Sequence, residues 1–280
     1  MPAALQNNPD TLLKMPIGVF DSGLGGLTVL KELSALLPSE DIVYFGDSGR
    51  TPYGTKSKDT VIRYTLQDIN FLLSHKVKMI VIACNTASAC SLDTVSAKYN
   101  VPIVEVVGPG ARTAARITQN NRVAVIGTSA TINSRVYEKA LRNVRDNISY
   151  IGKACPMFVP LVEEGWWDNK VTEDIIRLYL DDLKCCFPDT LILGCTHYPL
   201  LQNTIAKVLG SEISLVNSAA SVAIEVKDTL LKNNLLRSDT EKKGKISYYT
   251  SDSVEKFAAL GSMFLGKELD NVTKIDIDAY

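Results

Sequence analysis

The stretch MIVIACNTAS, residues 79–88, runs five apolar residues into a cysteine, an asparagine and a threonine. The same arrangement returns in DTLILGCTHYP, residues 189–199, where an apolar run leads through Gly194 to a second cysteine. A short apolar run bounded by turn residues is typical of a strand buried inside a sheet. Each of these cysteines, Cys84 and Cys195, therefore stands where a buried strand is predicted to end.

Short apolar runs alternate with helical patterns on either side of these stretches. The run PIGVF at 16–20 precedes apolar residues at 27, 29, 30, 33, 36 and 37, which is the spacing of one helix face. The run DIVYFG at 41–46 precedes a second helical pattern at 58–76. Strands that alternate with helices are typical of βαβ units. The predicted fold class is therefore α/β, with mainly parallel sheets flanked by helices.

The order of strands and helices restarts in the second half of the chain. The matched positions are Val19 with Val125 and Tyr44 with Tyr150, each 106 residues apart, and Cys84 with Cys195, 111 residues apart. These offsets predict two pseudo-symmetric lobes with the active site between them. The alternative is that generic strands resemble one another by chance.

The restart also suggests where the lobes begin and end. The first lobe is predicted to comprise residues 15–108 and 218–280, because the strand-like run KISYYTSD and the helix after it return to complete the lobe. The second lobe is predicted at 109–217. Residues 1–14 are interpreted as a frayed N-terminal extension.

Composition limits the classes of partner. The 280 residues are 46% hydrophobic and 22% charged, which is typical of a globular protein with an ample core. The formal charge is −1, and scattered Lys and Arg leave no electrostatic footprint for nucleic acid or an anionic membrane. No apolar run approaches the roughly 20 residues that span a bilayer, and residues 1–14 lack the pattern of a secretory signal. We therefore expect a cytoplasmic protein with reduced cysteines.

Two of the six cysteines stand apart from the rest. Ligands of open α/β sheets bind outside the carboxyl ends of the strands, where Cys84 and Cys195 are predicted to lie. Their spacing from other cysteines and histidines fits neither a structural zinc site nor a C-x-x-C redox pair. The other four are interpreted as packing residues: Cys90, Cys155, Cys185 and Cys186.

Two facing thiols can perform a reaction that one thiol cannot. A thiol has an ordinary pKa of about 8.5, so a helix N-terminus or a nearby histidine can make one thiolate base while its partner stays a thiol acid. If one group removes a proton from one face of a carbon acid and the other protonates the opposite face, the stereocentre is inverted. His197 could hold or tune the proton of Cys195, unless it is only hydrogen-bonded in the loop.

Five segments, in order and without large gaps, resemble one known family: GVFDSGLGGLTVL, TPYG, ACNTAS, FVPLVEEG and ILGCTHYPLL. Together they are similar to cofactor-independent glutamate racemase, the bacterial isomerase that makes D-glutamate for peptidoglycan. The resemblance runs from about Pro16 to beyond Leu201, is weaker in the C-terminal quarter and is absent from residues 1–14. It implies L- and D-glutamate as substrates, no pyridoxal phosphate or metal, and a homodimer.

The resemblance also implies roles for individual residues. Cys84 and Cys195 would be the catalytic acid/base groups, with Cys195 serving L-glutamate, and Asp21 and His197 would be auxiliary groups beside them. The implied substrate-binding residues are Asp21, Ser22, Tyr53, Gly54, Asn85, Thr86, Thr196 and His197. Further candidates are Pro52, Thr128, Thr131 and Glu163. One departure is Thr51, which stands where the family has a tyrosine or a leucine-like residue.

Two other functions remain open at this point. The first is racemisation of aspartate, or another isomerisation of a small dicarboxylate within the same superfamily. The second is a binding protein that sequesters a protein partner and keeps a vestigial cleft, although intact thiols at both positions argue against a dead site.

Overall fold

A computed structural model describes residues 9–237, 239 and 242–280. These residues form two sheets in which all the strand pairs are parallel. The predicted α/β fold, with two parallel sheets flanked by helices, is confirmed. The strands are β1 Ile17–Asp21, β2 Ile42–Gly46, β3 Met79–Ile82, β4 Ile103–Glu105, β5 Arg122–Gly127, β6 Ser149–Ala154, β7 Thr190–Gly194, β8 Ser214–Val216, β9 Ile246–Thr250 and β10 Val272–Lys274.

Helices connect most of these strands. They are α1 Pro9–Lys14, α2 Leu27–Leu36, α3 Lys58–Ser74, α4 Asn85–Lys98, α5 Val107–Ile117, α6 Ser129–Asn133, α7 Val136–Val144, α8 Phe158–Glu163, α9 Lys170–Leu180, α10 Gln202–Leu209, α11 Ser218–Lys232 and α12 Val254–Leu265. Short 3₁₀ helices lie at Tyr53–Thr55, Asp181–Cys186, Tyr198–Leu201 and Ile277–Ala279.

Four of the inner strands are buried along their whole length. Every residue of β1, β2, β3 and β7 is buried, which matches their continuous apolar sequences. Parallel strands covered by helices have no solvent-facing side, so they do not show the alternating pattern of a half-exposed strand. These strands form a rigid frame that fixes the polar residues that follow them.

The two sheets repeat one topology. The first has the strand order β10-β9-β2-β1-β3-β4, and the second has the order β6-β5-β7-β8, which matches β2-β1-β3-β4. Val19 lies opposite Val81 in the first sheet, and Val125 lies opposite Ile192 in the second. The offset of 106 residues between β1 and β5, and that of 111 residues between β3 and β7, therefore relate equivalent positions of the two sheets, as the sequence predicted.

The match of Tyr44 with Tyr150 is wrong by two residues. Tyr44 lies opposite Val19, but the residue opposite Val125 is Gly152. Register is set by pairing across the sheet, and a strand can carry an aromatic residue at several positions, so residue type alone did not fix it.

The C-terminal segment completes the first sheet, as predicted. β9 pairs with β2, and β10 pairs with β9. The helix α12 packs against α2 of the same lobe, while α11 packs against both α2 and α5. The boundaries at 108/109 and 217/218 stay a prediction.

The described part of the N-terminal extension is a helix rather than a frayed segment. The helix α1 covers Pro9–Lys14, and the Lys78 ammonium donates a hydrogen bond of 2.8 Å to the carbonyl of Leu13. Residues 1–8 of the predicted extension lie outside the described residues. None of the described helices is long and apolar enough to cross a membrane.

Candidate active site

Both candidate cysteines lie at equivalent strand ends. Cys84 follows β3 by one residue and caps α4, where its Sγ accepts a hydrogen bond of 3.4 Å from the backbone N–H of Ala87. Cys195 directly follows β7, and both thiols are buried. Because β3 and β7 hold the same place in the repeated topology, the fold brings one thiol from each lobe to the cleft.

The cysteines meet in one small cavity between the lobes. Its volume is about 20 Å³, which is room for about one water molecule. It is lined by Ser22, Thr51, Pro52, Tyr53, Gly54, Cys84, Asn85, Thr86, Thr128, Val159, Cys195, Thr196 and His197. The structure therefore brings together most of the candidates that the sequence suggested.

Three predicted residues do not line this cavity. Asp21 accepts a hydrogen bond from the Thr196 hydroxyl at 3.2 Å, and Glu163 contacts His197 Nε2 at 3.2 Å. The hydroxyl of Thr131 lies 3.0 Å from that of Thr128. Each of them therefore touches a residue that lines the cavity.

The surroundings of Cys84 favour the neutral thiol. Its Sγ donates to the hydroxyl of Ser22 at 3.5 Å. Burial, together with the nearby carboxyl of Asp21, raises the pKa of Cys84 to about 12. The contacts with Ser22 and with the N-terminus of α4 lower the pKa, but burial outweighs them. The N-terminus of α4 therefore favours the thiolate, as the sequence predicted, but its effect is smaller than that of burial.

The surroundings of Cys195 contain a buried cation. His197 Nδ1 lies 3.9 Å from Cys195 Sγ, and Nε2 lies 3.2 Å from a carboxylate oxygen of Glu163. Burial alone lowers the pKa of His197, but its hydrogen bonds with Cys195 and Glu163 outweigh burial and raise the pKa to about 10. His197 is therefore an imidazolium at neutral pH, and it stabilises negative charge on the neighbouring sulfur.

A buried carboxyl joins the two lobes behind the cysteines. Besides the hydroxyl of Thr196, Asp21 accepts the backbone N–H of Gly23 at 3.0 Å. Burial raises the pKa of Asp21, although the charge of His197 opposes this effect. The contact with Thr196 spans the lobes because Asp21 ends β1 and Thr196 follows β7.

Three threonine hydroxyls form a second contact between the lobes. Thr86 Oγ1 lies 2.9 Å from Thr128 Oγ1 and 3.3 Å from Thr131 Oγ1. Thr128 also caps α6, where its side chain accepts the N–H of Thr131. The segment after β5 is therefore a short helix, Ser129–Asn133, with its N-terminus at the cavity.

A buried network of hydrogen bonds and ion pairs holds the 3₁₀ helix that carries Tyr53 and Gly54. The hydroxyl of Tyr53 donates to Asp47 at 2.5 Å and to Asp68 at 2.9 Å, so this side chain is directed into the first lobe. Arg50 pairs with both carboxylates, at 2.6 Å and 3.0 Å. Tyr53 therefore contributes its backbone rather than its hydroxyl to the cavity.

Three residues of the site were not among those predicted from the sequence. Thr51, which was noted only as a departure from the family pattern, lines the cavity. Val159 of α8 lines the cavity. Tyr137 of α7 reaches across from the second lobe and donates a hydrogen bond of 2.6 Å to Asn85 Oδ1. The segment FVPLVEEG offered a signal for Val159, but Tyr137 lies in an ordinary amphipathic helix with no motif.

A wider opening adjoins the small cavity. It has a volume of about 270 Å³. Pro52, Gly54, Thr128 and Val159 line both spaces, so the opening lies at the mouth of the cleft. Among residues 9–237, 239 and 242–280, no group of three or more His, Cys, Asp or Glu side chains is placed to hold a metal ion.

Comparisons with known proteins identify the family and the fold. Residues 24–225 match the family described as Asp/Glu/Hydantoin racemase. The glutamate racemase of Geobacter metallireducens is 48% identical over 94% of this chain and 97% of that protein. That of a Sulfurihydrogenibium species is 46% identical over 90% of this chain and 94% of that protein. The crystal structure of glutamate racemase from Francisella tularensis in complex with D-glutamate has a TM-score of 0.90 at 38% identity, and the match covers 96% of this chain and 100% of that chain.

Proposed function

The chain belongs to the Asp/Glu/Hydantoin racemase family, and from this membership we propose that it is a glutamate racemase, an isomerase that interconverts L-glutamate and D-glutamate. One observation supports the proposal most strongly. Cys84 and Cys195, at equivalent strand ends of two repeated sheets, line one cavity between the lobes. A thiol on each side of a single carbon is the arrangement that inversion by two acid/base groups requires.

With L-glutamate, the Cys195 thiolate removes the α-proton, and the Cys84 thiol protonates the opposite face of the carbanion. The imidazolium of His197 stabilises the thiolate of Cys195. The raised pKa of Cys84 keeps its proton in place before the reaction. Each turnover leaves the two thiols in the protonation states from which the reverse reaction starts.

Proton transfer alone does not supply the whole rate enhancement. Placed acid/base groups contribute about 10²–10⁴-fold, and the α-proton of glutamate is very weakly acidic. Donors that face the α-carboxylate must stabilise the charge that grows on it as the carbanion forms. Asn85, Thr86 and Thr196 line the cavity and are of the right type for this task. The backbone N–H groups of Tyr53 and Gly54 suit the side-chain carboxylate.

The lobes must separate before glutamate can enter. A cavity of about 20 Å³ does not hold a five-carbon dicarboxylate, and the wider opening beside it gives a route from solvent. Closure around the substrate then excludes water and strengthens each hydrogen bond to the carboxylates.

The substrate is tested with purified protein and circular dichroism at a wavelength where the enantiomers differ. We expect L-glutamate and D-glutamate to converge on the same signal, and L-aspartate to turn over far more slowly. Faster turnover of aspartate would favour the alternative racemase, and no turnover of either would overturn the proposal.

We further propose that the enzyme works in the cytoplasm as a homodimer and supplies D-glutamate for peptidoglycan. The support is its similarity to bacterial glutamate racemases. Growth of a bacterium that requires D-glutamate, after expression of this chain, tests the supply role. Light scattering of the purified protein tests the dimer.

A further inference from the structure

Tyr137 connects the segments that carry the two cysteines. Its ring belongs to the second lobe and packs beside Gly194, where an added Cβ would lie 3.2 Å from the tyrosine Cε2. Gly194 directly precedes Cys195. The hydroxyl of Tyr137 donates a hydrogen bond across the cleft to Asn85, which directly follows Cys84. Tyr137 is 1% exposed and Asn85 is 5% exposed, so solvent does not compete for this hydrogen bond.

The direction of this hydrogen bond decides which atoms Asn85 offers to the cavity. In this structure the phenol of Tyr137 donates its proton to Asn85 Oδ1, and burial, which raises the pKa of Tyr137, keeps that proton in place at neutral pH. An amide oxygen can only accept, whereas the amide nitrogen can only donate. When Tyr137 donates to Oδ1, the Nδ2 group is the polar end of Asn85 that remains for a ligand. A flipped amide would instead offer an oxygen, which repels a carboxylate.

We propose that Tyr137 is a positioning residue that fixes the amide of Asn85, so that Nδ2 donates to the α-carboxylate of the substrate. The inference rests on the proposed function and deepens it. Tyr137 does not touch the substrate; it acts through Asn85 and reaches it from the opposite lobe. The hydrogen bond between Tyr137 and Asn85 therefore forms only when the lobes are closed. Lobe closure and the orientation of the substrate are thus coupled.

The substitution Tyr137→Phe removes only the hydroxyl. The ring still fills its place among Val125, Leu141 and Ile192, so the fold is preserved. The freed amide of Asn85 then rotates, and its oxygen is left buried without a donor. We expect kcat/KM for L-glutamate to fall about tenfold, with the loss shared between kcat and KM, because the α-carboxylate is charged in the bound substrate and bears still more charge in the transition state.

The test is a double-mutant cycle of Tyr137→Phe and Asn85→Ala, with kcat and KM measured for each enzyme. In the Asn85→Ala background, Tyr137→Phe should change kcat by less than about twofold, because its target is gone. Equal losses in both backgrounds, or wild-type kinetics for Tyr137→Phe alone, would overturn the proposal.

A matched control comes from the same chain. Tyr99 donates to Asn70 Oδ1 at 2.8 Å, which is the same chemical pair away from the cavity. Tyr99→Phe should leave kcat unchanged, and thermal unfolding of both variants separates a loss of fold from a loss of orientation.

Calorimetric binding of D-glutamate gives an independent readout of the positioning role. If the wild-type protein binds glutamate without turnover, the proposed function fails. Weaker binding by Tyr137→Phe would still support the positioning role in that case. Unchanged binding by Tyr137→Phe would overturn the positioning role.

Discussion

At the scale of single residues, the two histidines of the chain lie in opposite surroundings. His197 contacts Cys195 and Glu163, and these hydrogen bonds outweigh burial and raise its pKa to about 10. His75 packs against the rings of Phe71 and Tyr249, with centroid distances of 4.8 Å, and burial lowers its pKa. Since the chain has only 2 histidines, their protonation can be measured without ambiguity.

We predict that His197 is an imidazolium at pH 8 and that His75 is neutral at pH 7. Nitrogen NMR of the imidazole rings, recorded across pH for wild type and His75→Gln, assigns each signal. The bound proton of His197 stabilises the fold fully below pH 6.5, and this contribution is lost as the pH rises through about 10. A neutral His197 at pH 8 would contradict the charge assigned to the Cys195 side of the cavity.

Both cysteines that line the cavity should be needed for racemisation. Cys84→Ala and Cys195→Ala should each reduce racemisation by about 10²–10⁴-fold, the contribution typical of a placed acid or base. Circular dichroism of glutamate turnover measures the loss. Cys90→Ala is the matched control, because Cys90 is only half-buried and does not line the cavity. Near wild-type activity in either of the first two variants would remove that thiol from the mechanism.

At the scale of elements, the loop Tyr53–Thr55 depends on a buried network. Tyr53 donates to Asp47 and Asp68, and Arg50 pairs with both carboxylates. Burial and the charge of Asp47 raise the pKa of Asp68 well above its ordinary value. The network holds the backbone of Gly54 at the cavity, so its integrity should affect substrate affinity more than the chemical step.

We predict that Tyr53→Phe lowers the free energy of unfolding by about 1–3 kcal/mol, because two buried carboxylates lose a donor. It should also raise KM for glutamate several-fold with a smaller change in kcat. Urea unfolding and steady-state kinetics measure these effects, with Tyr99→Phe again as control. An unchanged KM would show that the loop is positioned by other contacts.

The sequence predicted the elements whose signals are local. Apolar runs identified β1, β2, β3 and β7, and the repeat placed Cys84 and Cys195 at equivalent ends. It did not predict α1, α6, α8 or β10, which are short and which tertiary contacts rather than propensity hold in place. It also did not predict the longer helices α5 and α11. Nor could it identify Tyr137, because a hydrogen bond between residues 52 positions apart leaves no pattern in the sequence.

At the scale of the whole molecule, the cleft is closed by direct contact between lobes. A Cβ added to Gly54 would overlap the side chain of Thr128 and lie 2.6 Å from its Cγ2. A Cβ added to Gly25 would lie 2.6 Å from His197 Nδ1. Gly54 has a negative φ, so its backbone conformation does not require glycine. Glycine is needed there because the other lobe approaches too closely for a side chain.

We predict that Gly54→Ala props the lobes apart without unfolding the protein. Affinity for glutamate and kcat should both fall, together at least about tenfold in kcat/KM, since water enters the cleft. The control is Gly49→Ala, whose added Cβ would meet Ser251, at 3.2 Å, and Asp252, at 3.6 Å, both of the same lobe. Kinetics and thermal unfolding measure both variants. Full activity of Gly54→Ala would mean that catalysis does not need this closed contact.

In the proposed reaction, one thiol from each lobe flanks the α-carbon. Racemisation of L-glutamate in heavy water, stopped after a few per cent of conversion and analysed by mass spectrometry of the separated enantiomers, is the sharpest test of this arrangement. We expect deuterium in nearly all of the D-glutamate formed and almost none in the recovered L-glutamate, because Cys84 delivers a solvent-derived deuteron while Cys195 returns the proton it removed. Equal early labelling of both enantiomers would show that one base serves both faces, and would overturn the two-thiol mechanism.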